Sequence, residues 1–103
     1  VDDATVLDVG ASYGFLSTVW AMSSCRRGQV YGFEASPSFF TVGRKMAEKN
    51  GLANLTYVNQ AVYNFDGLIQ IQPFDGTHAM VSKDSNGVLV SCFTIDSFCE
   101  RNQ

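Results

Sequence analysis

The feature that most constrains this chain is a short apolar run that feeds straight into a glycine. Thr5-Val6-Leu7-Asp8-Val9 ends at Gly10, the pattern of a strand buried on both faces of a parallel sheet. Helical spacing follows: Phe15, Val19 and Met22 fall at i, i+4 and i+7, with Leu16 and Trp20 beside them, a broad apolar stripe. Arg26 and Arg27 suit the C-terminal end of that helix, and Gly28 stops it. A second apolar run, Val30-Tyr31-Gly32-Phe33, ends at Glu34.

Ser36-Pro37 reads as a helix start, with Ser36 as N-cap and Pro37 at the first helical position. Phe39, Val42 and Met46 mark the buried face expected of this helix. Gly43 and Ala47 allow a close approach to the sheet, and Asn50-Gly51 terminates it. Leu55-Thr56-Tyr57-Val58 is the third strand. Strand, helix, strand, helix, strand implies right-handed crossovers and a parallel sheet.

From Asp66-Gly67 onward the pattern changes. Ile69 and Ile71 alternate with Gln70 and Gln72, as in a strand with one wet face. Ala79 to Ser82 is a further strand candidate, and Asn86-Gly87 reads as a tight hairpin turn into Val88 to Phe93. Residues 66–93 are therefore expected to form an antiparallel insertion. Asp96 is placed to cap a short final helix.

Composition narrows the function classes. With 103 residues, 46% apolar and 17% charged, the chain suits one small globular domain. Its net charge of -3 gives no electrostatic reason for a nucleic-acid or anionic-membrane partner. The three cysteines form no C-x-x-C pair, which predicts reduced thiols and a cytoplasmic protein. With one histidine, His78, no metal site is expected. No run is long enough to span a bilayer. The strand at the very start and the polar stub Arg101-Asn102-Gln103 read as cuts through a longer protein.

Chemistry concentrates in Asp8-Val9-Gly10-Ala11-Ser12-Tyr13-Gly14. A glycine turn between a buried strand and a helix lets a ligand approach the backbone and aims free helix N–H groups at it. The dinucleotide fingerprint wants G-x-G-x-x-G; here the spacing is D-x-G-x-x-x-G. A carboxylate beside a pyrophosphate is unfavourable. Near the cationic amino and sulfonium groups of S-adenosylmethionine it is favourable. Glu34 follows Gly14 by 20 residues at a strand end, where ligands of open α/β sheets lie. Its carboxylate can accept from two vicinal ribose hydroxyls. Asn59-Gln60-Ala61, just past the third strand, can reach an adenine edge or be an ordinary polar loop.

These segments resemble the FkbM-type methyltransferases. The resemblance rests on Val6 to Gly14, on Val30-Tyr31-Gly32-Phe33-Glu34-Ala35-Ser36-Pro37, on Asn50-Gly51-Leu52-Ala53-Asn54-Leu55, on Asn59-Gln60-Ala61-Val62 and on Thr94-Ile95-Asp96. Ser12 stands where that family usually has asparagine, and Ala35 where it often has proline. The resemblance implies an α/β, Rossmann-like three-layer α/β/α fold of class I methyltransferases, truncated, with residues 1–103 as one partial domain, the N-terminal cofactor-binding half. It implies S-adenosylmethionine as cofactor and methyl transfer to oxygen on a small molecule or sugar. The cofactor-binding set it implies is Asp8, Gly10, Ala11, Ser12, Tyr13, Gly14, Glu34, Ala35, Gln60 and Ala61. The first strand is then expected at the switch point, with its second neighbour beyond Gln103, so that the chain alone is not a working enzyme.

A non-catalytic Rossmann-like binding or scaffold piece and a nicotinamide-dependent oxidoreductase are the competing classes; the missing G-x-G-x-x-G counts against the second. An RNA methyltransferase is a related reading, against which the lack of a basic patch argues. His78 is a candidate base for a hydroxyl substrate, and Trp20 reads as core. The catalytic residues, the acceptor and the oligomeric state are not legible in the sequence.

Overall fold

The computed structural model describes residues 3–24, 26–73, 79–81 and 87–102. The chain begins with β1 (Thr5–Val9), α1 (Phe15–Val19), a π-helical turn (Trp20–Ser24), β2 (Gln29–Phe33), α2 (Pro37–Lys49) and β3 (Leu55–Val58). It continues with β4 (Ala61–Val62), β5 (Gly67–Pro73), β6 (Ala79–Val81), β7 (Val88–Phe93) and α3 (Ile95–Arg101).

β1, β2 and β3 form a parallel sheet with β2 in the middle, as the alternation of strands and helices requires. The centre of the sheet is buried on both faces: Val30 on one and Phe33 on the other are almost wholly covered. Val30 packs with Ala21, Val6, Trp20 and Leu55. Phe33 sits edge-on to Phe93 and Phe98, and Tyr31 to Phe98, so α3 covers the side opposite α1 and α2. Three layers result. β1 departs from the expectation of burial on both faces, because among the described residues it pairs only with β2; Val9 is 54% exposed.

The phase of the first helix is also different from the one its apolar stripe implies. Phe15, Leu16, Val19 and Met22 are exposed, while Gly14, Ser17 and Ala21 face inward. Small residues win because the helix lies tight against the sheet over Gly32. A Cβ added at Gly32 would come 2.8 Å from the Ser17 hydroxyl, leaving no room there for a leucine or a phenylalanine. The regular helix ends at Val19 and widens into the π-turn, so Arg26 and Arg27 lie beyond it.

In α2, Phe39, Gly43 and Ala47 are buried, Met46 is half-buried and Val42 is exposed, the same shift toward small residues. Ser36 occupies the N-cap position and Pro37 the first turn, but the Ser36 hydroxyl pairs with that of Ser38 at 3.1 Å instead of capping. Gly51, with φ of +63°, ends the helix.

The second sheet has the order β4-β7-β5-β6, with β5 antiparallel to both β7 and β6 and β4 parallel to β7. Ile69 and Ile71 point into a core with Ala61, Val90 and Cys92, as the alternation predicts. Among the described residues β6 and β7 do not pair as the expected hairpin: they lie on opposite sides of β5 and run in the same direction, which a tight turn cannot join. Residues 82–86, including Asn86, lie outside the described residues. Thr94, not Asp96, caps α3 by accepting from the Ser97 N–H at 3.1 Å; Asp96 sits in the first turn.

Candidate functional site

The carboxyl ends of β1, β2 and β3 meet at one edge of the parallel sheet. The chain leaves β1 through Gly10 at φ +73° and Gly14 at φ +84°, with Ser12 between them at φ +56°. Left-handed backbone of this kind suits glycine, and among other residues mainly asparagine and aspartate. The Gly10 and Ala11 N–H groups both donate to the Phe33 carbonyl at 2.9 Å, and the Gly14 N–H donates to the Ala11 carbonyl at 2.9 Å. The turn is thereby strapped to the end of β2.

Glu34 follows Phe33 and is only 4% exposed. Its Oε1 accepts from the Ser12 N–H at 2.7 Å and its Oε2 from the Ser36 N–H at 2.9 Å. A buried carboxylate is costly unless it is hydrogen-bonded, and backbone N–H groups supply that here. Asn59, past β3, donates its amide to the Glu34 carbonyl at 2.9 Å and to the Ala35 carbonyl at 3.1 Å. Asp8 accepts from the Ser17 hydroxyl at 2.5 Å. The Tyr57 hydroxyl donates to the Ser12 carbonyl. Burial, and then the negative charges of Glu34 and Asp8, push the Tyr57 hydroxyl's pKa well up, so it remains a protonated donor.

The expected residues fall into two groups. Asp8, Gly10, Ala11, Ser12 and Tyr13 line a cleft of about 300 Å³ together with Phe15 and Leu16. Gly14 starts the helix behind it, and Glu34 reaches it through Ser12. Ala35, Gln60 and Ala61 do not line this cleft. Ala35 packs against the core of the second sheet, Ala61 belongs to that core, and the Gln60 amide donates to the Ser91 hydroxyl at 2.9 Å. His78 lies outside the described residues. Among those described, no group of three metal-ligating side chains gathers, and no helix is long and apolar enough to cross a membrane.

Tyr57 and Ser17 went unnoticed as site residues in the sequence. Tyr57 looked like one more strand residue; the signal that could have found it is the glycine inside the neighbouring strand, Gly32, which marks a close approach.

In open α/β sheets, nucleotide-type cofactors lie at the carboxyl ends of the strands, where this chain has its glycine turn and Glu34. The chain belongs to the methyltransferase-domain family, whose model matches residues 1–98. Family membership implies S-adenosylmethionine as cofactor. Among solved structures, the chain is similar to the methyltransferase FkbM from Methylobacillus flagellatus KT. That match has 17% identity, covers 93% of this chain and 23% of that one, and has a TM-score of 0.61. It is similar also to the precorrin-6y C5,15-methyltransferase from Geobacter metallireducens GS-15, with 26% identity, 55% and 30% coverage and a TM-score of 0.50. The chain thus spans less than a third of the length of either. Comparison with curated protein sequences gives no match.

The residues present fit the implied cofactor. The Ser12 hydroxyl is buried in the turn with no hydrogen-bond partner among the described residues, and such an orphaned group calls for a ligand or a water. Asp8 and Glu34 are acceptors with lone pairs to spare beyond the bonds they make.

Proposed function

We propose that this chain is the N-terminal, cofactor-binding part of a larger S-adenosylmethionine-dependent methyltransferase of the FkbM type. Its acceptor is a hydroxyl oxygen on a small molecule or sugar. The observation that carries the reading is Glu34, a buried carboxylate at the end of β2 bonded to the backbone of the glycine turn. Glu34 accepts from the ribose hydroxyls. Asp8 faces the cationic amino-acid end, and the backbone from Gly10 to Gly14 lines the methionine portion. Ala35, Gln60 and Ala61 border the adenine.

Bound there, the cofactor supplies a methyl carbon activated by a sulfonium. The residues of this chain bind and orient; methyl transfer depends chiefly on an in-line approach, so positioning is their main contribution. The second wall of the pocket and the acceptor site belong to chain beyond these residues. The outer edge of β1, unpaired among the described residues, and the coverage of under a third of related structures support that. Free thiols at Cys92 and Cys99 fit a cytoplasmic setting.

The test is calorimetric binding of S-adenosylmethionine to Glu34→Ala in the full-length protein. Hydrogen bonds to a charged group are worth roughly 1.5–3 kcal/mol, about tenfold to a hundredfold in affinity. A loss of that size is expected; unchanged affinity contradicts the assignment.

A further inference from the structure

Tyr57 runs from β3 under the glycine turn through a slot that glycines keep open. A Cβ added at Gly32 would lie 2.7 Å from its ring, one at Gly43 2.5 Å, and one at Gly14 3.3 Å. No side chain fits at the first two positions while the ring is there. On its free side the ring stacks on Phe40, with centroids 5.6 Å apart and planes 13° from parallel. Two strands and two helices therefore agree on where this one side chain goes, and at its tip the hydroxyl bonds the Ser12 carbonyl.

Ser12 is the residue that needs holding. It is a non-glycine residue at φ +56°, a conformation that L-residues adopt at a cost. Its two backbone polar groups are tied in opposite directions, the carbonyl by Tyr57 and the N–H by Glu34. If the Tyr57 bond is lost, the turn can relax toward ordinary backbone angles, and the Ser12 N–H then leaves Glu34.

We propose that Tyr57 is a positioning residue for the ribose end of the cofactor site: its hydroxyl locks the Ser12 turn and so fixes the Glu34 carboxylate that accepts from the ribose. This rests on the function proposed above. Tyr57 touches no reacting atom; it acts through Ser12 and Glu34.

Tyr57→Phe is the test in the full-length protein, because it keeps the ring, the filled slot and the stack on Phe40 and removes only the hydroxyl. Affinity is measured by calorimetry for S-adenosylhomocysteine and for its 2′-deoxyribose form, alongside the melting temperature without ligand. The variant should bind S-adenosylhomocysteine about fivefold more weakly, the effect of one neutral hydrogen bond. The ratio of ribose to deoxyribose affinity should fall while the unliganded melting temperature moves little. Unchanged affinity, or an equal loss for both ligands, overturns the role. Gly43→Ala, which displaces the ring, should lower the same ratio; an intact ratio there also counts against it. If the wild-type protein binds neither ligand, the proposed cofactor site falls and this inference with it. If wild type binds, Glu34→Ala does not and Tyr57→Phe equals wild type, only the role of Tyr57 falls.

Discussion

The two sheets of this molecule are held together in different ways. At the carboxyl edge of the parallel sheet, side chains are spent on the backbone. Glu34 takes N–H groups from Ser12 and Ser36, Asn59 holds two carbonyls, and Tyr57 holds a third. In the second sheet, Ile69, Ile71, Val90 and Cys92 close on one another around Ala61, an ordinary apolar core. One region uses polar side chains to fix a loop that cannot hold itself; the other uses burial to hold regular strands. A site shaped from backbone should respond to changes in conformation and hydrogen bonding, whereas a packed slab should respond to changes in volume.

Gly10→Val sharpens that contrast most. A Cβ there meets nothing within 4 Å, so the protein should still fold, at a strain of about 1–2 kcal/mol. Cofactor binding should fall more than about a hundredfold because φ +73° is lost or the side chain occupies the cofactor's place. Circular dichroism and calorimetry on the same sample check both halves; normal folding with normal affinity breaks the assignment of the turn.

Ile71→Ala is the opposite case. Deleting a side chain that is 2% exposed should cost about 2–5 kcal/mol in denaturant unfolding. Cofactor affinity of the folded protein should remain within about twofold. A large loss of affinity would show that β5 shapes the pocket itself and is not only a support behind Ala35, Gln60 and Ala61.

Asp66 gives a pH-dependent case. Its pKa is lowered, first by the Thr94 N–H and then by the Ser97 hydroxyl; the bond to Thr94 measures 2.9 Å. A carboxylate with a depressed folded-state pKa stabilises the fold above its unfolded pKa and loses that contribution as pH falls through the folded one. Asp66→Asn should therefore be less stable than wild type near neutrality. The difference should close on acidification, in melting temperatures from pH 7 to pH 3. A gap that stays constant with pH would remove the carboxylate from the account.

Ser12→Asn is the smallest effect. Asparagine tolerates left-handed backbone better than serine does, so stability should rise by no more than about 1 kcal/mol, read as a higher melting temperature. A fall would mean that the Ser12 hydroxyl, orphaned among the described residues, has a use that asparagine cannot fill.

The order of the parallel strands was legible because short apolar runs ending at Gly10, at Glu34 and before Asn59 carry it directly. So was the meeting of the glycine turn with Glu34, since strand ends of a parallel sheet share one edge. The helix faces were not. Apolar periodicity gives a phase, but Gly14, Ser17 and Ala21 repeat on a competing one, and only the closeness of helix to sheet over Gly32 decides between them. The turn chemistry of Asn86-Gly87 suggests a hairpin but does not say which strands pair, and β6 and β7 each pair with β5. Tyr57 was invisible for a related reason: its role comes from what lies around it on two strands and two helices, and none of that is local in sequence.

The central claim is that the cofactor sits on the backbone at the carboxyl edge of the parallel sheet. The most direct measurement is a map of backbone amide NMR shifts in the full-length protein as S-adenosylhomocysteine is added. The largest changes should fall on Gly10 to Gly14 and on Glu34 to Ser36, with the Ser12 amide, bonded to Glu34, prominent among them. Smaller changes should appear at Gln60 and Ala61, and almost none along the β5 residues Gln70 and Ile71. Shifts concentrated on β5 and β7, with the glycine turn and Glu34 unmoved, would contradict the account.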